Sequence, residues 1–561
     1  MTAGTAVAEG ADLVLSGGVV WTGAPARPFA GALAVRAGRI VAVGSAAEVR
    51  GVVGPARQFV DLQGKAVLPG FQDAHCHPLG GGMQARSCDM GETRTLAECQ
   101  AAVRRYLAGH PGAGWVTGKG WSMESFPGGT PPASALDEVC ESRPAFVVNR
   151  DGHSAWVSTR ALELAGIDAA TPDPPHGRIE RDERGRPQGT LHEGAMGLVG
   201  RLAPPPSPAE RAAALEDAQA HLLSLGVTGW QDASVEEDEE EAYAALAGGG
   251  RLRGRARLAL WWERERGIEQ VEELVARRER LACLGLSAGS VKIMLDGVME
   301  TYTAALLEPY HTPAGNGHDG CRADLGSGRM FLEPELVDTA VSRLVDEGFQ
   351  VHFHAIGDRA VRVALDAVER ATPAGSDDLR HHVAHIQLVH PDDVGRFHRL
   401  GVVANAQPFW ACVEPQMTEL TIPFLGPVRS GWQYPFASLA DSGAMLACGS
   451  DWPVSTANPL EEIAVAVART LPASARLGTA PEEPFLPAER IGLRCALAAF
   501  TAGSAYVNHL EHETGTIEQG KLADLVVLDQ DPFATGIDRL PEAKVVLTAV
   551  GGEVVYDAGV A

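Results

Sequence analysis

His75 and His77 stand two positions apart where an apolar run breaks, in Lys65-Ala-Val-Leu-Pro-Gly-Phe-Gln-Asp-Ala-His-Cys-His. On a β-strand, residues i and i+2 share a face, so both imidazoles aim into one space. Two neutral imidazoles converging on a point suit a zinc-type ion. Cys76 between them points the other way and is expected to pack rather than ligate. Such a pair also occurs among ordinary surface and core histidines, so its company in the chain decides. Lys292 lies inside an apolar strand, Ser290-Val-Lys-Ile-Met-Leu-Asp-Gly. Burial lowers a lysine pKa and frees the neutral amine, which can take up carbon dioxide to become a carbamate. A carbamate is an anionic oxygen donor able to bridge two cations. The alternative is an ammonium near the strand end paired with Asp296. His352 and His354 end another apolar run, His385 ends His382-Val-Ala-His, and Asp451 follows Leu446-Ala-Cys-Gly-Ser. Singly, each has a plainer reading: His381 and His382 as surface residues, His352 as a hydrogen-bonded support, Asp451 as a helix N-cap. In this order along one chain they point to a metal site.

The elements that would position these residues alternate. Short apolar strands begin near Ala145, Gly226, Leu258, Ser290, Gln350, His382, Val402 and Met445, separated by helical patterns at 208–224, 268–284, 334–347, 358–371 and 486–502. Alternating strands and helices imply a parallel sheet, and about eight units imply an α/β fold of the (β/α)8 TIM-like barrel type. Functional side chains of such barrels sit at the C-terminal strand ends, where the polar residues above fall. Residues 11–70 and the C-terminal stretch read instead as hairpins with glycine turns. Neither end has enough strands for a sheet, so the two are expected to combine into a small β-sandwich. The expected organisation is 1–70 and 509–561 as halves of that sandwich, with 71–508 as the barrel. Residues 83–210 exceed one βα unit and should form an insertion over the barrel mouth. The acidic run Glu236–Glu241 reads as a solvated helix start.

Composition narrows the class. The chain of 561 residues is 45% hydrophobic and 21% charged, with 72 acidic against 47 basic side chains and a net charge of -25. That balance disfavours nucleic acid as a partner. No stretch approaches the length of a membrane span, and residues 1–18 lack the pattern of a signal peptide. The nine cysteines show no regular spacing, which favours a reducing, cytoplasmic setting over a disulfide framework.

The order Pro69-Gly-Phe-Gln-Asp-Ala-His-Cys-His, Lys292, His354, His385 and Asp451 resembles the amidohydrolase superfamily. More narrowly it is similar to the amidohydrolase-3 (YtcJ-like) branch, which includes N-substituted formamide deformylases. Branch-type segments are Asp151-Gly-His-Ser-Ala-Trp, Asp296-Gly, Glu308-Pro-Tyr, His354-Ala-Ile-Gly-Asp-Arg-Ala, Gly449-Ser-Asp-Trp-Pro and Gly515-Thr-Ile-Glu-Gln-Gly-Lys-Leu-Ala-Asp. Gln72 departs from the pattern, where an apolar residue is usual. The resemblance implies a metal-dependent hydrolase of non-peptide C–N bonds in a small molecule. It implies two divalent ions, zinc first, with iron, manganese or nickel as alternatives. One would be held by His75, His77 and Asp451, the other by His354 and His385, with carbamylated Lys292 between them. Asp451 would also accept a proton from the attacking water and return it to the leaving amine. His153 and His352 are assigned to substrate, with a backbone-bonded loop histidine as the plainer reading of His153. Trp121, Trp156, Phe409, Trp410 and Tyr310 are candidates for an apolar pocket or for core. A homodimer is common among similar proteins. The alternatives are a mononuclear deaminase, whose shuttle glutamate after the strand-five histidine is missing from His354-Ala-Ile-Gly-Asp, and an inactive barrel scaffold.

Overall fold

The computed structural model describes residues 10–311, 325–372, 378–475 and 483–559. Eight parallel strands run in sequential order around one sheet: β1 (Phe71–Cys76), β2 (Val227–Val235), β3 (Arg255–Trp261), β4 (Ser287–Met294), β5 (Gln350–Ala355), β6 (His382–His385), β7 (Val403–Ala406) and β8 (Leu446–Cys448). Every residue of β1 and β5 is buried, as expected of strands covered on both faces. The intervening helices are specified locally. Pro208–Ser224 starts with Pro208 in its first turn and a Ser207–Glu210 capping box. Asp358–Ala371 lays Val361, Ala364, Leu365 and Val368 along its buried face.

The eighth side of the barrel closes just past the end of β8. Asp451 N donates to His75 O at 2.7 Å and His77 N to Trp452 O at 2.8 Å. Asp73 on β1 accepts from Ser450 N at 3.1 Å and from Ser450 Oγ at 2.5 Å. Gly449, with no side chain to hold the strands apart, makes this approach feasible.

Both chain ends enter a second sheet of eight strands, in which Ala66–Pro69 pairs antiparallel with Leu525–Leu528. Arg255 Nη2 ties it to the barrel by donating to Asp524 Oδ1 at 2.8 Å. A third sheet, of six strands between Cys88 and Glu193, forms the insertion.

Three expectations change. Ala145–Asn149 belongs to the insertion sheet, not the barrel, because an apolar run does not name its neighbour. The helix expected over 486–502 begins only at Leu493 after Gly492, and runs through a π-helical stretch to Val507. The acidic run does start a helix, Glu237–Gly248, but Glu240 turns inward to pair with Arg277 and with Arg280 at 2.8 Å. Among the described residues, no helix is long and apolar enough to cross a membrane.

A methyl group on Gly449 would lie 2.4 Å from His75 N, a backbone atom that cannot swing aside. Gly449→Ala is therefore expected to destabilise the fold by about 1–3 kcal/mol through overpacking. Chemical denaturation measures it, and an unchanged midpoint would mean that β1 and β8 do not meet this closely.

Candidate metal centre

The strand ends bring the predicted donors together. His75 Nε2 and His77 Nε2 lie 3.1 and 3.0 Å from Asp451 Oδ1. Two donors each about 2.1 Å from one ion at a tetrahedral angle sit about 3.4 Å apart, so these spacings suit a zinc-sized ion. Ligand atoms of these three residues all fall within 4.8 Å of one another. His385 Nδ1 lies 3.9 Å from Asp451 Oδ2 and, although buried, makes no hydrogen bond. The His354 ring is 4.4 Å from that of His385, which is 4.8 Å from that of His75. Lys292 Nζ is 3.5 Å from both His75 Nδ1 and His352 Nε2.

Electrostatics fit the same use. Burial holds His75 down to about 3 and keeps His354 and His385 below the ordinary imidazole value, leaving neutral rings with lone pairs for a cation. Burial would raise the Asp451 carboxyl, yet the adjoining His75, His77 and His385 overcome this and keep it ionised. Burial also draws the Lys292 amine down to about 7, against the pull of Asp451.

Lys292 does not pair with Asp296. That carboxylate, wholly buried, accepts from Ala305 N, Ile356 N and Gly357 N at 2.8–3.0 Å and lies 3.3 Å from His354 Nδ1. Asp451 is no N-cap, since its side chain turns to the histidines. His381 and His382 are buried, not surface residues. His352 does not line the cavity; it is fully buried with Nε2 2.7 Å from His75 Nδ1, placed to act on His75 rather than on a substrate. Cys76 is buried, with Sγ facing Gln231 O at 3.8 Å.

Three supports have no role in the sequence reading, Asp73 at the closure, Ser234 Oγ 3.0 Å from His77 Nδ1 and Glu193 against His153, and Asp296, considered there as a partner of Lys292, stands instead behind His354. Asp73 and Asp296 stood inside recognisable motifs. Ser234 and Glu193 carried no local signal.

A cavity of about 610 Å³ opens beside the centre, between barrel mouth and insertion. Trp452, next to Asp451, lines it with Trp121, Phe409 and Trp410, and Trp410 lies flat on the His385 ring at 5.7 Å. Trp156 and Tyr310 are instead buried, bonded to Pro132 O and Ala304 O. His153 reaches from the insertion to within 6.1 Å of His354, ring to ring, with Nδ1 2.9 Å from Glu193 Oε1. Burial disfavours its charge, but Glu193, then Asp151 and Glu300, win and raise it from 6.5 to about 9. A raised imidazole stabilises the fold fully below pH 6.5 and loses that contribution as pH climbs through about 9. Glu193→Gln is expected to drop His153 to or below the ordinary value and to flatten stability across that window. Histidine ring-proton NMR titration reads the shift, and a value still near 9 would sink the pairing.

The profile of the amidohydrolase family (Amidohydro_3) matches residues 58–556. Protein LONG AFTER FAR-RED 3 of Arabidopsis thaliana is 31% identical over 97% of this chain and 92% of its own. N-substituted formamide deformylase of Arthrobacter pascens is 29% identical over 97% of this chain and 98% of its own. The crystal structure of an uncharacterized metal-dependent hydrolase from Pyrococcus furiosus superposes with a TM-score of 0.68 at 26% identity, covering 93% of this chain and 99% of that one. This chain belongs to the amidohydrolase family.

Proposed function

We propose that this protein hydrolyses a non-peptide C–N bond, in an amide, formamide or cyclic amide, of a small molecule. The carrying observation is the donor set at the strand ends, where neutral histidines surround an ionised carboxylate beside a lysine of lowered pKa. His75, His77 and Asp451 would hold one divalent ion and His354 with His385 a second, with Lys292 between them as its carbamate. Zinc heads the choices for these donors, followed by iron, manganese and nickel. Such ions, when bound, acidify water toward neutrality and polarise an acyl oxygen.

The chain's own residues supply the rest. Asp451 takes the proton of the attacking water and hands it to the departing amine nitrogen. Its Oδ1 is engaged by His75 and His77, which fixes the carboxylate plane beside the cavity. His352 holds His75 from behind through the 2.7 Å contact. His153, kept as an imidazolium by Glu193, donates toward the substrate's acyl oxygen. Burial lowers the Lys292 amine toward its neutral form, the form that takes up carbon dioxide. A cytoplasmic homodimer acting on a small molecule, without nucleic acid or membrane, completes this reading.

Metal analysis and amine release from a panel of N-formyl, N-acyl, cyclic amide and ester substrates, after metal reconstitution, test it. Two ions per chain support the binuclear reading, one favours the deaminase, and none the inactive scaffold. Lys292→Ala is expected to lower metal content and to slow amine release by more than about 100-fold, beyond the 10–100-fold effects of outer partners. Unchanged metal content and rate would remove Lys292 from the centre.

A further inference from the structure

We infer that Arg150 forms an anion subsite in the cavity, so that the substrate carries a carboxylate away from the bond that is cut. This deepens the hydrolase reading and rests on it for the word substrate. Arg150 follows the insertion strand Ala145–Asn149, its backbone N donating to Trp121 O at 2.9 Å, and lines the cavity three residues before His153. Its Nη2 is buried and has no hydrogen-bond partner among the described residues. No carboxylate there comes within ion-pair distance of the guanidinium. A buried N–H without an acceptor is costly, and a guanidinium fork matches a carboxylate in shape and charge. Arg94 lines the same cavity and adds positive charge, although its Nη1 is spent on Gly91 O and Thr93 O at 2.9 and 3.1 Å.

Acidic groups also line the cavity, and their acceptor oxygens are engaged by neighbours other than Arg150. Asp89 accepts from Gln84 and Gly91 N, and Asp217 pairs with Arg86 at 2.6 Å. Glu300 accepts from Thr421 at 3.0 Å, Glu461 from Thr456 at 2.7 Å and Asp151 from His153 N at 2.9 Å. Glu92 is exposed at the rim. Glu414 remains, and burial, helped by Glu124 and Glu300, pushes it up to about 7 against the pull of Arg150 and Arg94. It forms no ion pair with Arg150, whose Nη2 keeps the unused capacity. Trp410, stacked on His385, and Trp452, next in the chain to Asp451, line the same cavity, so a molecule anchored at Arg150 shares its walls with the centre.

Matched pairs test the subsite: N-acylamino acids of several chain lengths against the same N-acylamines without the carboxylate. Calorimetric binding to the metal-loaded protein gives the affinity ratio within each pair. At least one pair is expected to favour the carboxylate by about tenfold or more, the worth of a charge-assisted hydrogen bond. Arg150→Gln should collapse that ratio to near one and Arg150→Lys should retain part of it. Equal affinity across every pair, or a preference that survives Arg150→Gln, overturns the proposal. If Arg150→Gln does not fold, loss of only part of the ratio in Arg150→Lys supports the subsite and an unchanged ratio overturns it. Binding separates this from the hydrolase reading: selective binding without amine release would refute hydrolysis alone, and amine release indifferent to the carboxylate would refute the subsite alone.

Discussion

Asp73 joins the two edges of the barrel sheet, and the placement of His75, His77 and Asp451 depends on that junction. Its carboxylate is almost completely buried and accepts from His75 N, Ser450 N and Ser450 Oγ. Burial outweighs those hydrogen bonds and raises its pKa to about 7. For a carboxyl raised from 3.8, the fold loses stability as pH climbs from the unfolded value to the folded one. The site thus carries a net electrostatic cost near neutrality. What the arrangement provides is a fixed register: His75 lies on β1, His77 directly after it and Asp451 in the segment after β8, strands at opposite ends of the sheet order. Without the staple, small changes in that gap would move the Asp451 oxygens relative to both imidazoles.

The same logic runs through the ring. Three of the candidate ligands near strand ends are oriented by a polar group on a neighbouring element. Ser234 on β2 faces His77 just past β1, Asp296 past β4 faces His354 on β5, and Gln407 past β7 accepts from His385 N on β6. Because the strands pair in sequence, these three supports lie one strand away from what they support, whereas His352 on β5 reaches His75 on β1 from beneath. A cluster of buried neutral imidazoles could adopt several tautomers and rotamers, and these supports select among them. Several ring nitrogens nevertheless stay without partners, including those of His352, His382 and His385. A polar interior left partly unsatisfied is unfavourable for folding, and it suits a place where a cation takes up the remaining lone pairs.

Much of this was legible in the sequence, and the limits have physical causes. Strand periodicity fixes which faces His75 and His77 share, and parallel alternation brings strand ends to one rim, so the candidate ligands could be gathered without coordinates. Their supports could not. Glu193 meets His153 across a strand pair of the insertion, and nothing near either residue announces the other. The run Ala145–Asn149 has the apolar pattern of a barrel strand, but pattern records burial and not sheet membership. His352 sits two residues before a candidate ligand on the same face, yet depth along the strand separates the two: His354 borders the ring facing His153, while His352 lies beneath His75. Periodicity gives the face and leaves the layer open.

Barrel and insertion therefore divide the chemistry by the rigidity each can offer. Strand ends locked into a closed sheet hold groups whose spacing must suit an ion to within tenths of an ångström. The insertion is a separate sheet whose side chains reach the centre only across a cavity, where positions can vary without disturbing closure. It contributes His153, Arg94 and Arg150, cationic groups that have no place among metal ligands but can meet oxygen atoms of a bound molecule. A barrel of this kind can keep one reaction while its insertion changes which molecules arrive, because part of the cavity lining, Arg94, Trp121 and Arg150 among it, belongs to the insertion and not to the sheet that fixes the ligands. Selectivity is then to be sought in residues 83–210 rather than at the strand ends, where any change that altered preference would first alter the ion.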